Sequence, residues 1–170
     1  MDQTHIHLLI THLPIFGSIL GGLVLAYGLW KKSNQTKIAA YLLFIISSIG
    51  AGIAYLTGEA AEETVEHIAG VSKNLMEQHE DFSVIALISL IVLGIASIVG
   101  IFLTSEKSKF TRAIAVVILF ISLISFGLIA RTGYLGGQIR HTEINSKAAS
   151  SLQPERTGMT TPESSATTNR

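Results

Sequence analysis

Apolar residues dominate four stretches of the chain, and polar residues collect between them. The stretches cover residues 8–30, 38–57, 82–104 and 110–130, and Arg112 is the one charged residue inside them. Each stretch holds about 20 residues or more, and a helix of that length crosses a hydrocarbon core about 30 Å thick. The pattern therefore predicts four transmembrane helices.

The connections between these stretches predict how the helices pack. Short connections favour antiparallel neighbours, so we expect an all-α integral membrane bundle with up-down-up-down topology, its first and third helices on one diagonal. The transmembrane domain spans residues 1–144. Within it, the second connection, 58–81, predicts an amphipathic outer cap broken near Gly70. Residues 145–170 are rich in Ser, Thr and Ala and predict a disordered tail.

Composition agrees with a membrane protein. The 170 residues are 48% hydrophobic and 14% charged, and the formal charges cancel. There is no cysteine, which excludes disulfides, thiolate metal sites and covalent c-type haem attachment. Neither a phosphate-binding glycine loop nor a nucleophile elbow occurs. The four apolar stretches predict membrane lipid around the chain, and we expect no nucleic-acid partner.

Basic residues predict the orientation. They concentrate in the first and third connections, which we call the basic end: Lys31, Lys32, Lys37, Lys107, Lys109 and Arg112. The second connection has Lys73 among many acids, and the segment before the first stretch has no Lys or Arg. The positive-inside rule then predicts a multi-pass protein of the bacterial inner membrane with both termini periplasmic. The C-terminal basic residues oppose this, but they are spread over a long tail. The first stretch is too long for a cleaved signal peptide.

All six histidines fall at the opposite end, which we call the histidine end: His5, His7, His12, His67, His79 and His141. Imidazole is the commonest metal ligand and a frequent axial haem ligand. A helical bundle can hold non-covalent haem between two inward imidazoles, with polar surroundings for the propionates. We therefore predict one or two haems b at this end.

The predicted haem ligands are His12 and His79, which open the first and third helices. His67 and His141 form a second pair or partner the first, and His7 is a further candidate. Arg131 or Arg140 could pair with a propionate, and the alternative is that each arginine is an anchor at the membrane interface.

Two other interpretations of the histidines stay open. Copper or zinc could be bound by His12, His79, His67 and His141, with Met76 as a soft ligand, although no compact His-x-x-x-His or Glu-x-x-His pair is present. The histidines could also be interfacial residues that pair with glutamates.

The two halves of the chain echo each other. Each reads as His, helix, basic turn, helix, Thr-Gly, His: the first runs from His12 through Thr57-Gly58 to His67, and the second from His79 through Thr132-Gly133 to His141. The echo indicates two repeated hairpins. The alternative is that Thr-Gly marks ordinary helix ends, with glycine in the left-handed position.

Four segments resemble a bacterial family of predicted membrane proteins of unknown function. They are the entrance His7-Leu-Leu-Ile-Thr-His12-Leu13-Pro14-Ile15, the exit Thr57-Gly58-Glu59-Ala60, the pair His79-Glu80, and the run Tyr134-Leu135-Gly136-Gly137. The resemblance covers roughly residues 5–144. Members are often fused to or encoded beside c-type cytochrome or Rieske-type domains, which implies a role near electron carriers. Relatives continue the glycine run into a Tyr-x-His-Gly-like ending, and this chain departs from it with Gln138-Ile139-Arg140-His141.

Together these features predict a membrane b-type cytochrome-like electron-transfer protein. It would be a carrier, or a subunit of a larger respiratory complex, rather than an enzyme, with a redox partner protein on the periplasmic side. The sequence leaves quinone use open. The alternative function is a cofactor-free accessory or assembly subunit of a membrane redox complex.

Overall fold

The structure is a computed structural model that describes residues 9–65 and 73–140, with side chains for 9–58 and 73–138. It consists of four α-helices: α1 (His12–Trp30), α2 (Asn34–Val65), α3 (Lys73–Ser105) and α4 (Thr111–Arg140). Each is long and apolar enough to cross a membrane. The prediction of an all-α bundle of four transmembrane helices is confirmed.

Two tight turns of the same design form the basic end. Lys32 and Lys107 adopt left-handed backbone conformations, with φ of 55° and 52°. The next residue in each turn is a serine whose amide donates to a carbonyl five residues back: Ser33 to Gly28 and Ser108 to Leu103, both at 3.0 Å. This is the Schellman arrangement that ends a helix. The two hairpins of the echo thus share their turn geometry.

At the histidine end, the helices continue beyond the apolar stretches. α2 runs to Val65, α3 already begins at Lys73, and α4 runs to Arg140, so much of the predicted cap is an extension of α2 and α3. The expected break near Gly70 and the tail 145–170 lie outside the described residues.

Both Thr-Gly pairs lie within helices, so the interpretation of them as ordinary helix ends is wrong. The Thr57 hydroxyl donates to the Ile53 carbonyl at 2.9 Å, and the Thr132 hydroxyl donates to the Leu128 carbonyl at 3.0 Å. A threonine that bonds one turn back along its own helix is compatible with continued helix. The glycine after it does not stop the helix in either half.

α1 and α3 each pack against both α2 and α4, which places α1 and α3 on a diagonal as predicted. Glycines allow the close approaches. A Cβ at Gly21 would lie 2.5 Å from Cε1 of Phe44, and one at Gly17 would lie 2.9 Å from Cβ of Ser47. These two glycines therefore allow α1 to pack closely on α2. Large apolar side chains cover the outer surface of the bundle, where lipid would lie.

Candidate functional site

His79 occupies the most defined position at the histidine end. It lies near the start of α3, its side chain is half-buried, and its Nδ1 is 3.0 Å from the main-chain oxygen of Thr132 on α4. A carbonyl oxygen can only accept a hydrogen bond, so Nδ1 is the donor. In the neutral imidazole the lone pair then belongs to Nε2, the nitrogen that can bind a metal or haem iron.

Gly136 forms the surface behind this imidazole. A Cβ placed on Gly136 would lie 3.1 Å from Cε1 of His79 and 3.4 Å from its Nδ1. Thr132 and Gly136 are one turn apart on α4, so the carbonyl and the bare backbone face the ring from the same side. A side chain at 136 would require the imidazole or α4 to shift by a few tenths of an ångström. The ring orientation is therefore set by the backbone of α4.

Buried apolar residues surround this level of the bundle. Met76, one turn before His79 on α3, is 7% exposed, and Leu135 on α4 is 1% exposed. Because α3 enters the bundle from this end, Met76 lies one turn further out than His79, and Leu135, next to Gly136 on α4, lies at the level of the imidazole. The bundle interior is therefore apolar at the level of His79 and for about one turn beyond it.

His12 begins α1 and has different surroundings. Its side chain is exposed, and its ring stacks on Phe16 at a centroid distance of 6.3 Å and an interplanar angle of 17°. Ile15 approaches Gly133 of α4: a Cβ built on Gly133 would lie 3.5 Å from Cδ1 of Ile15. Because α1 and α4 are antiparallel, His12 lies about one turn further out, near the level of Gly136.

α4 thus stands between the two helices that carry His12 and His79. Its glycines contact α1 at Gly133 and His79 at Gly136. The structure brings the two histidines to the same end and level of the bundle, one half-buried against α4 and one on the exposed surface of α1.

Arg131 links α3 and α4 at the same end. Its guanidinium carbon lies 5.6 Å from the ring centroid of Phe82 and 5.5 Å from that of Tyr134. Both distances are within the range of cation–π attraction. The Arg131 side chain is exposed, so its charge can pair with an anionic group at the membrane boundary.

The other predicted site residues are not described. His5, His7, His67 and His141 lie outside the described residues, and Arg140 ends α4 without a described side chain. Among the residues that are described, no group of three His, Asp or Glu side chains is placed to hold a metal ion.

Sequence reasoning missed the contact of His79 with Thr132 and Gly136. Thr132-Gly133 stood out as part of the echo, and Gly136 as part of the family resemblance, but neither was connected to a histidine. Their four-residue spacing was the available signal, because it puts both on one face of a helix if that helix continues past Ala130.

Comparison of the chain with protein-family models, with curated proteins and with solved structures gives no match.

Proposed function

We propose that the histidine end holds haem b, with His79 as an axial ligand. The observation that carries this proposal is the 3.0 Å hydrogen bond from His79 Nδ1 to the Thr132 carbonyl. Histidines that bind metals commonly donate their other ring N–H to a carbonyl or carboxylate, which fixes the tautomer and raises the basicity of the ligating nitrogen. His79 has this arrangement, and Nε2 is its ligating nitrogen.

We assign the second ligand to His12, which lies near the level of His79 on a neighbour of α4. Its ring stacks on Phe16, which gives one face of the imidazole an apolar contact. His67 and His141 are a second pair or partners of this one, and His7 is a further candidate. Four or more such histidines would suffice for two haems.

Arg131 suits a haem propionate. Its guanidinium is held over two rings near the polar boundary, and an arginine binds a carboxylate through two parallel hydrogen bonds. Arg140, nine residues later and two and a half turns further along α4, is the alternative partner.

Bound haem b supplies reversible one-electron transfer, and the residues of the chain determine where that happens. His79 and His12 would hold the group at the histidine end, beside the buried side chains of Met76 and Leu135. We infer an electron carrier whose redox partner, a protein or a larger respiratory complex, docks at this end. The positive-inside rule puts the basic end in the cytoplasm, so we infer that the histidine end is periplasmic. The resemblance to a family encoded beside electron carriers supports the same role.

The absorbance of the purified protein tests this function. We expect a Soret band, a pyridine haemochrome spectrum of haem b, and iron at one or two atoms per chain. Copper or zinc without haem would favour a metal site instead. Colourless, metal-free protein from haem-replete cells would favour a cofactor-free accessory or assembly subunit, and either result would overturn the haem proposal.

A further inference from the structure

Lys37 is a buried cation at the basic end. It lies in the first turn of α2, is 6% exposed, and packs on α1, where a Cβ at Gly28 would be 3.2 Å from Lys37 Cγ. Its Nζ donates to Oδ1 of Asn34 at 3.0 Å. Within the part of the chain that the structure describes, the ammonium thus has a neutral partner. A buried charge is costly unless an opposite charge or several hydrogen bonds compensate it.

Two buried hydroxyls belong to the same end of the bundle as Lys37. Tyr41 is 0% exposed and Thr104 is 2% exposed. Among the described residues, neither hydroxyl oxygen has a hydrogen bond of good geometry, although the two groups are close enough to interact. The Tyr41 ring packs on Gly100, where an added Cβ would lie 2.9 Å from Cζ of Tyr41. α2 and α3 are antiparallel. Lys37 is four residues before Tyr41 on α2, and Thr104 is four residues after Gly100 on α3, so Lys37 stands opposite Thr104.

The surroundings of these groups are positively charged. Arg112, at the start of α4, is a second cation at this end of the bundle. The two turns add further lysines, and the acid of the third connection is Glu106 alone. We call Lys37, Tyr41, Thr104 and Arg112 the Lys37 cluster. These residues come from three helices, and among the described residues no carboxylate forms an ion pair with either of the two cations.

We propose that the Lys37 cluster binds a phosphate group, either that of a lipid headgroup or inorganic phosphate. The ammonium and the guanidinium balance its charge, and the hydroxyls of Tyr41 and Thr104 donate to its oxygens. Rotation of the flexible Lys37 side chain away from Asn34 brings the ammonium to the anion. The cluster is at the basic end, where lipid phosphates lie at the boundary of the hydrocarbon core. This site is independent of haem binding at the histidine end.

Binding measurements on the full chain in detergent separate the two sources of phosphate. In one arm, sodium phosphate replaces sodium chloride at constant ionic strength while the thermal midpoint is recorded. In the other, native mass spectrometry counts bound phosphatidylglycerol and bound phosphatidylcholine. A midpoint that rises with phosphate identifies free phosphate, and retained phospholipid identifies a headgroup; both results support the site.

Three variants test the assignment. Lys37→Gln should weaken the binding about tenfold or more, since it removes a charged donor. Tyr41→Phe keeps the ring on Gly100, removes the hydroxyl alone, and should weaken binding about tenfold. The matched control is Lys31→Gln at the same end, whose exposed ammonium lies 4.5 Å from the Trp30 ring centroid. It should change affinity by no more than about twofold.

Two results would overturn the proposal. One is wild-type protein that responds to neither ligand, and the other is an equal loss in Lys31→Gln and Lys37→Gln. If Lys37→Gln fails to fold, Tyr41→Phe decides: binding at wild-type strength in that variant would also reject the site.

Discussion

The imidazole of His79 and the main-chain carbonyl of Thr132 join α3 to α4 through a hydrogen bond of 3.0 Å. The acceptor is backbone, so its position depends on α4 remaining helical past the apolar stretch. The Thr132 hydroxyl, bonded to the Leu128 carbonyl, belongs to that helical segment. The tautomer of a candidate ligand is thus determined by the course of a neighbouring helix.

Adjacent glycines on α4 offer a matched test of this arrangement. Gly136→Ala places a Cβ 3.1 Å from His79 Cε1, whereas the same atom at Gly137 has nothing within 4 Å. Alanine favours helix over glycine by up to about 1 kcal/mol at either position. We expect Gly136→Ala to shift the haem spectrum or reduce haem content, and Gly137→Ala to leave both unchanged. Equal spectra in the two variants would show that the glycine surface does not orient His79.

The contact between α1 and α2 predicts a stability effect that does not depend on any cofactor. Gly21→Ala puts a Cβ 2.5 Å from Phe44 Cε1, so the ring or the helix must move. Such overpacking costs about 1–3 kcal/mol. Gly52→Ala on α2 is the control, because nothing lies within 4 Å of its added Cβ. Thermal melting in detergent should show a lower midpoint for Gly21→Ala alone; midpoints lowered equally in both would contradict the packing described.

The orientation of the bundle can be tested with the two ends of one helix. Asn74 and Ser105 are exposed near opposite ends of α3. The basic turns predict that the Ser105 end faces the cytoplasm. The chain has no cysteine, so each variant carries a single thiol. In intact cells whose outer membrane is permeabilised, an impermeant thiol reagent should label Asn74→Cys and spare Ser105→Cys. The reverse pattern would place the histidine end in the cytoplasm.

The position of the histidines predicts one-sided electron transfer, provided that haem is bound. The spans cover about 30 Å, and the sequence has no histidine at the basic end to hold a second cofactor there. In proteoliposomes of uniform orientation, an impermeant reductant should reduce the haem quickly from the histidine end. The same reductant at the basic end should act far more slowly, and equal rates from both sides would reject this geometry.

The four helices were predictable because hydrophobic length carries the information for a transmembrane span. The ends of the helices were not, because polar residues such as Glu59 or Lys73 can continue a helix outside the membrane as well as form a loop. Thr132-Gly133 shows the same difficulty: the pair is common at helix ends, yet here it lies within α4. Local sequence does not distinguish these cases, since the outcome depends on the neighbouring helix.

The site was predictable only in part. Clustering of histidines at one end follows from topology, so His79 could be selected as a candidate from sequence. Its hydrogen bond to α4 could not be foreseen, because it joins residues 53 positions apart whose register depends on side-chain packing along the bundle. The buried state of Lys37 was also missed, since a lysine in a basic turn normally reaches water.

The most direct test of the central claim is the haem content of His79→Ala beside His5→Ala, measured by pyridine haemochrome on purified protein. We predict wild-type haem in His5→Ala, and loss of haem from folded His79→Ala with partial recovery when free imidazole replaces the missing ligand. A full and unshifted haem spectrum in His79→Ala would contradict the assignment of His79 as an axial ligand.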